Sequence, residues 1–304
     1  MTQGYEALRH GAACLDLSTR GRIIARGRDR ARLLHNVTSN DVKRMTPGSG
    51  AYAFLLTPQG RVQADLNLLC FSDHFLIDTE PELREKVQQL ILKYKVADQV
   101  ELEDITGGSA EIGIEGPGAA ALLESRGALV PAEPYAHTPW GDSLVANLSV
   151  TGQPGFRIFG PAAEAGSFLN AGARLASESD IRLVRIENGR PRFGEDIRET
   201  SLPQETQQMH AVSFQKGCYI GQEIVERIRA QGHVNKKLVR LAIDGAVAPP
   251  PGTKLGVEGK DAGELTSAVY SPALGQVAAL AYARIPFTEP GTIFEAGEFR
   301  GHVV

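Results

Sequence analysis

KKLVRLAIDGAVAPPPG, residues 236–252, opens a stretch whose texture differs from everything before it. From Lys236 to the closing GHVV, short apolar runs alternate with PPPG, EGKDAG, SPALG and TEPGT. Many short strands joined by Gly/Pro turns, with no helical period, specify a small β-barrel or sandwich. We therefore expect a C-terminal all-strand domain, barrel or sandwich, over 236–304 and a boundary near residue 235.

Upstream the pattern is mixed. Ile23, Ile24 and Ala25 read as a strand, and Asp29 as the N-cap of a helix through Leu33 and Leu34. AYAFLLTPQGRVQADLNLLCF reads as a hairpin about Thr57–Gly60, and HFLIDTE as a third strand. Pro81 suits a first helical turn, and Leu83, Val87, Leu90, Ile91 and Tyr94 follow at helical spacing. VELEDIT and AEIGIEG are strands, GPGAAALLESRG is a short helix, and GFRIFGP is a strand leading into a helix from Ala162. Residues 50–115 thus form an α+β layer rather than a regular βαβ series. With 304 residues the chain is long enough for two or three packed units.

Composition narrows the function classes. A net charge of −4 argues against a general nucleic-acid binder. The three cysteines, Cys14, Cys70 and Cys218, are far apart and odd in number, so a reducing cytoplasm is the expected compartment. Without a C-x-x-C or His-x-x-x-His pair, a self-contained zinc or iron–sulfur site is not expected. In MTQGYEALRHGAACLDLS no basic stretch precedes an apolar run, so a signal peptide is not expected, and no run of about 20 apolar residues suggests a membrane span.

Four stretches carry candidate chemistry. In SFQKGCYIGQEIVER, residues 213–227, Cys218 lies between Gly217 and Gly221, with Lys216 before it and Gln222 and Glu223 beginning a helix. A thiol near a lysine and a helix start is in a setting that favours the thiolate; a small buried thiol under a glycine-bounded turn is the plain alternative. No His and Asn/Asp partners for a protease-like triad can be assigned. In LTPQGRVQADL, Asp65 stands on the strand after the Gly60 turn, either holding an amine or cationic group of a ligand or merely capping. In RIENGRPRFGEDI, Glu187 reads as a carboxylate at a strand end that can accept paired hydrogen bonds from an amino-heterocycle, or equally as one half of an exposed loop ion pair. Arginines 20, 22, 26, 28, 30 and 32 make a candidate phosphate or RNA surface, although Asp29 interrupts them and a solvated face is the plainer expectation.

Taken together, KGCYIGQE, GRDRARLLHNVTSNDV, LTPQGRVQADL and RIENGRPRFGEDI resemble, in this order, blocks of the YgfZ-type folate-binding proteins, whose mitochondrial relatives act in iron–sulfur cluster assembly. They are also similar to the wider superfamily containing the aminomethyltransferase, or T-protein, of glycine cleavage. The resemblance implies an α+β, three-lobed T-protein-like arrangement: a ferredoxin-like lobe about 50–115 and a larger α/β lobe interleaved within 1–235, then the barrel. It implies tetrahydrofolate as cofactor, held by Glu187 at the pterin, with Asp65 and either Arg227 or Arg229 at the folate site. Cys218 would be the functional thiol, and Lys216, Gly217, Tyr219, Gly221, Gln222 and Glu223 would shape its loop or meet a partner. The implied partners are iron–sulfur assembly or client proteins, radical tRNA methylthiotransferases among them, with direct tRNA contact through Arg20–Arg32 as a further reading. T-proteins usually carry two adjacent acids where this chain has Ala64-Asp65, and they lack the cysteine. That difference argues against ordinary glycine cleavage and leaves a remodelled aminomethyltransferase or demethylase as the enzyme alternative.

Overall fold

The computed structural model describes residues 1–160, 164–232 and 234–304. Helix α1 (Gln3–His10) is capped by the Thr2 hydroxyl, which accepts the Tyr5 N–H. Strands β1 (Ala13–Asp16) and β2 (Gly21–Arg26) follow, then α2 (Arg30–Val37), β3 (Gly50–Leu56), β4 (Val62–Cys70), β5 (His74–Thr79), α3 (Arg84–Lys93) and β6 (Glu101–Asp104). Next come β7 (Ala110–Glu115), α4 (Ala119–Ser125), β8 (His137–Trp140), β9 (Ser143–Ala146), β10 (Gly155–Gly160), α5 (Glu164–Asn170), β11 (Arg174–Leu175), α6 (Glu178–Glu187) and α7 (Gln222–Gln231). The C-terminal strands are β12 (Lys236–Ile243), β13 (Lys254–Val257), β14 (Lys260–Ser271), β15 (Gln276–Arg284), β16 (Ile293–Ala296) and β17 (Phe299–Val303).

The first two lobes are interleaved. One sheet has the order β3-β4-β5-β2-β6 and the other β11-β1-β7-β10-β9-β8. Without its edge strand β3, the first sheet has the split βαβ order of a ferredoxin-like unit, with α2 and α3 as its two crossovers. That lobe runs from Gly21 to Asp104, so the expected span of 50–115 shifts: β2 belongs to it, while AEIGIEG is β7 and pairs with β1 and β10 in the other sheet. The ferredoxin-like lobe is in effect inserted between β1 and β7. Of the helix expected from Ala162, Glu164–Asn170 forms α5, and 161–163 fall outside the described residues. Asp29 stands at the start of α2 but makes no capping bond; its carboxylate instead accepts the Gln99 N–H at 2.8 Å.

Strands β12–β17 close into a barrel in the order β12-β15-β14-β13-β16-β17. Alternate residues of β15 (Val277, Ala279, Ala281 and Ala283) fill its interior with Leu241, Ile243, Leu265 and Phe294. The opposite face of β12 and β15 carries Leu238, Leu280 and Tyr282, and the Tyr282 hydroxyl lies 3.1 Å from Ser201 Oγ. The barrel thus docks through the residues that a single-sided strand pattern leaves facing outward.

Candidate functional site

A cavity of about 380 Å³ opens where the two sheets, α6 and the loop after α6 meet. Asp65 of β4 reaches its wall. The Tyr52 hydroxyl donates to Asp65 Oδ2 at 2.7 Å, while Oδ1 is buried and has no partner among the described residues. Burial, and then the nearby Glu80, push the Asp65 carboxyl up to about 6, against the Tyr52 hydrogen bond that lowers it. A carboxyl with one unpaired oxygen and a pKa near neutrality can accept a ligand N–H or exchange a proton with a ligand nitrogen. Ala64, where the resemblance points to a second acid, is fully buried among the apolar residues of the ferredoxin-like lobe.

A buried ionic network that joins the sheets continues this wall, with Arg20, Glu80 and Arg157 in the cavity lining. Arg20 donates to Asp78 through Nε at 2.7 Å and Nη2 at 2.9 Å, and to Glu80 at 2.5 Å. Arg157 of β10 pairs with Asp78 of β5 and, at 3.0 Å, with Glu111 of β7. Burial and the neighbouring Asp78 push Glu111 up to about 7, while burial works against Asp78's charge and is outweighed by Arg157 and Arg20. Arg22 is fully buried and donates to the Ser18, Thr106 and Ser109 carbonyls.

This arrangement disperses the candidate basic surface of Arg20 to Arg32. Arg20 and Arg22 are interior, and Arg26, Arg28 and Arg32 face Glu103, Asp29 and Asp98. Arg30 donates to the Gly27 and Ser72 carbonyls. The run is thus split: Arg20 and Arg22 are structural, while Arg26, Arg28 and Arg32 are exposed and face acidic neighbours, in line with a solvated face.

The readings for Glu187, Arg227 and Arg229 are likewise corrected. Glu187 ends a helix, not a strand: Ser177 and Asp180 form a capping box that starts α6. Glu178, Ile181, Arg182 and Arg185, at helical spacing, line the cavity. Glu187 lies two residues beyond Arg185, which turns its side chain about 200° away. There its carboxylate, only 3% exposed, accepts the hydroxyls of Tyr5 at 2.9 Å and Ser271 at 2.5 Å and faces Arg9 at 3.4 Å. Glu187 therefore fastens α1 and the barrel to α6. Arg227 and Arg229 are exposed on α7, outside the cavity lining; Arg229 lies over the Phe214 ring and faces Glu226.

Most of the KGC stretch is scaffold. The Lys216 Nζ donates to the carbonyls of Thr38 at 2.6 Å and Asn40 at 2.8 Å, and also to that of His35. Burial lowers its pKa to about 7, and the three carbonyls match the three N–H bonds of the ammonium. Tyr219 packs into the ferredoxin-like core with its ring 4.7 Å from that Nζ. Gln222 Oε1 accepts the Tyr219 N–H at 3.3 Å, and Glu223 is exposed on α7. Cys218 is exposed on this braced loop and is not in the cavity wall.

Gly221 has φ +83, and a Cβ added there would sit 2.5 Å from the Thr57 carbonyl oxygen. Gly221→Ala should therefore cost on the order of 3 kcal/mol in urea unfolding, combining left-handed strain with a backbone clash. Gly217 has open space around its missing Cβ, so Gly217→Ala should change stability by less than about 0.5 kcal/mol. Equal stability of the two variants would show that the turn does not fix the loop.

Sequence reasoning passed over Tyr52, Glu80 and Arg157. The available signal was a lone charge in an otherwise apolar strand, as with Arg157 in GFRIFG and Asp78 in HFLIDT.

Residues 1–216 match the GCVT N-terminal domain and 236–303 the glycine cleavage T-protein C-terminal barrel domain. An aminomethyltransferase of Rubrobacter xylanophilus is 31% identical over 298 residues, covering 94% of this chain and 80% of that protein. One from Nostoc sp. is 28% identical, covering 99% and 84%. A putative chloroplastic transferase of Arabidopsis thaliana is 26% identical, covering 87% and 63%. The crystal structure of the glycine cleavage system aminomethyltransferase T from Bartonella henselae superposes with a TM-score of 0.89 at 20% identity, covering 99% of this chain and 87% of that one. No helix among the described residues is long and apolar enough to cross a membrane.

Proposed function

The chain belongs to the glycine cleavage T-protein family, and from that premise we propose that it binds tetrahydrofolate in the cavity and supports the assembly or repair of iron–sulfur enzymes, tRNA-modifying ones included. The observation that carries this reading is the separation of two chemistries. The cavity offers the unpaired acceptor of Asp65, suited to an N–H of the pterin, while the exposed thiol of Cys218 stands on a rigid loop outside it. A thiol placed there meets a partner protein more readily than a ligand inside the cavity. Asp65 and Tyr52 would orient the pterin, and the buried guanidiniums would keep the opposing wall fixed.

A second reading, a folate-dependent aminomethyltransferase or demethylase, is favoured by the same Asp65, whose carboxyl near 6 suits proton exchange with a substrate amine. The named aminomethyltransferases among the relatives point the same way.

Both readings require tetrahydrofolate binding, measured by titration of the purified protein. They part at Cys218→Ala. The accessory reading expects the variant to bind tetrahydrofolate with unchanged Kd, yet to leave cells that depend on an iron–sulfur tRNA-modifying enzyme with only the modified tRNA of a deletion. Full rescue by Cys218→Ala would eliminate the thiol role. Release of methylene-tetrahydrofolate from an aminomethyl-lipoyl carrier would establish the second reading instead.

A further inference from the structure

Six guanidiniums line the cavity, and five of them face carboxylates of the chain itself. Arg20 meets Asp78 and Glu80, Arg157 meets Asp78 and Glu111, Arg182 and Arg185 meet Glu195, and Arg192 meets Glu80 and Glu82. Arg190 has no ion pair among the described residues.

Its position is nonetheless well determined. Gly189, at φ +69, turns the chain out of α6. The Arg190 N–H then donates to the Arg185 carbonyl at 2.9 Å, and the Arg190 carbonyl accepts from Arg185 Nη1 at 2.7 Å. Its stem runs past the Gly152 turn, where an added Cβ would lie 3.7 Å from Arg190 Cδ. The guanidinium is beside the hydroxyl of Tyr135 and close enough to act electrostatically on Tyr52.

Tyr135 has φ 64, a left-handed conformation that costs a side-chain-bearing residue about 1–2 kcal/mol. Its ring stacks on His210, which stacks in turn on Tyr52 at 5.3 Å. An aromatic wall therefore joins two complementary groups: an unpaired acceptor at Asp65, bonded to the Tyr52 hydroxyl, and an unpaired cation at Arg190, beside the Tyr135 hydroxyl.

We propose that Arg190 is the carboxylate-binding residue of the cavity and holds a carboxylate of the glutamate of tetrahydrofolate while Asp65 accepts from its pterin. This rests on the folate reading and adds the group that recognises the ligand's acidic end. A planar guanidinium that meets a tyrosine hydroxyl but no carboxylate among the described residues, presented on a braced backbone, forms a bidentate pair with a carboxylate at little ordering cost.

The test compares two ligands. Tetrahydrofolate carries the glutamate, whereas tetrahydropteroyl methylamide keeps the pterin and aminobenzoyl groups and has no carboxylate. The wild-type protein should bind tetrahydrofolate about 10- to 100-fold more tightly, the range for a hydrogen bond to a charged group. Arg190→Gln should abolish that preference while binding the methylamide as the wild type does, and Arg190→Lys should keep part of it. An unchanged preference in Arg190→Gln, or an equal loss for both ligands, would overturn the assignment. A wild-type protein that binds both ligands equally would overturn it while leaving the folate reading standing. Binding of neither ligand would remove the folate reading itself.

Discussion

Replacing Asp65 with asparagine will make the protein more stable at neutral pH and take away most of its ligand affinity. The native carboxyl is held near 6, above its ordinary value of 3.8, first by burial and then by Glu80. A folded-state pKa raised above the unfolded value favours the protonated form. That contribution to stability is complete below pH 3.8 and is lost as pH rises through about 6. Above pH 6 the ionised group weakens the fold by on the order of 2–3 kcal/mol. Asparagine keeps an acceptor for the Tyr52 hydroxyl and carries no charge. The stability difference between variant and wild type, followed by thermal unfolding from pH 4 to pH 8, should therefore open between about 4 and 6 and then level off. The lost charge-assisted acceptor should weaken tetrahydrofolate binding about 10- to 100-fold. If the chain also catalyses one-carbon transfer, turnover should fall at least about 100-fold, the lower end for a lost general acid or base. A variant that is destabilised in step with the wild type at every pH would contradict the assignment of an unpaired, proton-exchanging carboxyl. A residue that costs stability and sits on a cavity wall is best explained by what it does to a ligand.

How much of this was legible along the chain depends on the range of the interactions. The all-strand C-terminal domain is visible because its strands are joined by nearby turns, and the Gly/Pro punctuation of Lys236–Val303 is local information, although a barrel and a sandwich share it. The hairpin about Gly60 is visible for the same reason: Gly60 adopts φ +73 and its N–H closes on the Thr57 carbonyl. The interleaving of the lobes is not visible. Strand β1 pairs with β7 only after the whole ferredoxin-like unit has been inserted, and an apolar run such as AEIGIE carries no mark of the sheet it will join.

The site follows the same rule. Asp65 was found because a glycine turn marks its strand, but its partner Tyr52 lies across the hairpin register. An apolar residue before Glu187 and Asn188-Gly189 after it suit a strand end as well as a helix end, whereas the capping box at Ser177 and Asp180 makes the segment a helix and its geometry turns Glu187 away from the cavity. For Lys216 the residue was identified and the role was not: neighbouring letters suggest a cation beside the thiol, but only the folded chain brings the carbonyls of residues 35, 38 and 40 to its ammonium. The arginines between 20 and 32 look like one surface in the sequence, and β2 sends them to different places.

The strongest destabilisation should come from Asp78→Ala. Asp78 is fully buried in β5, and its carboxylate accepts two bonds from Arg20 and one from Asn67 at 2.6 Å while pairing with Arg157. Burial opposes its charge, but Arg157 and Arg20 prevail and hold its pKa well below the usual carboxylate range. Its stabilising effect is therefore present above pH 3.8 and lost only as pH falls through the depressed folded-state value. Alanine removes the carboxylate and leaves two buried guanidiniums, Arg20 and Arg157, short of an acceptor. Breaking such a pair costs about 3–5 kcal/mol, far more than an exposed ion pair. Urea unfolding at pH 7.5 should show this loss, and a change below about 1 kcal/mol would mean that water takes over the role of the carboxylate. Arg157 reaches Asp78 from β10 of the other sheet, across 79 positions of sequence. The same substitution should therefore loosen the junction between the lobes and free two guanidiniums that already line the cavity from the carboxylate that holds them. Tetrahydrofolate affinity should fall with stability in Asp78→Ala but against stability in Asp65→Asn. Opposite signs in the two variants would separate the residue that builds the cavity from the one that uses it.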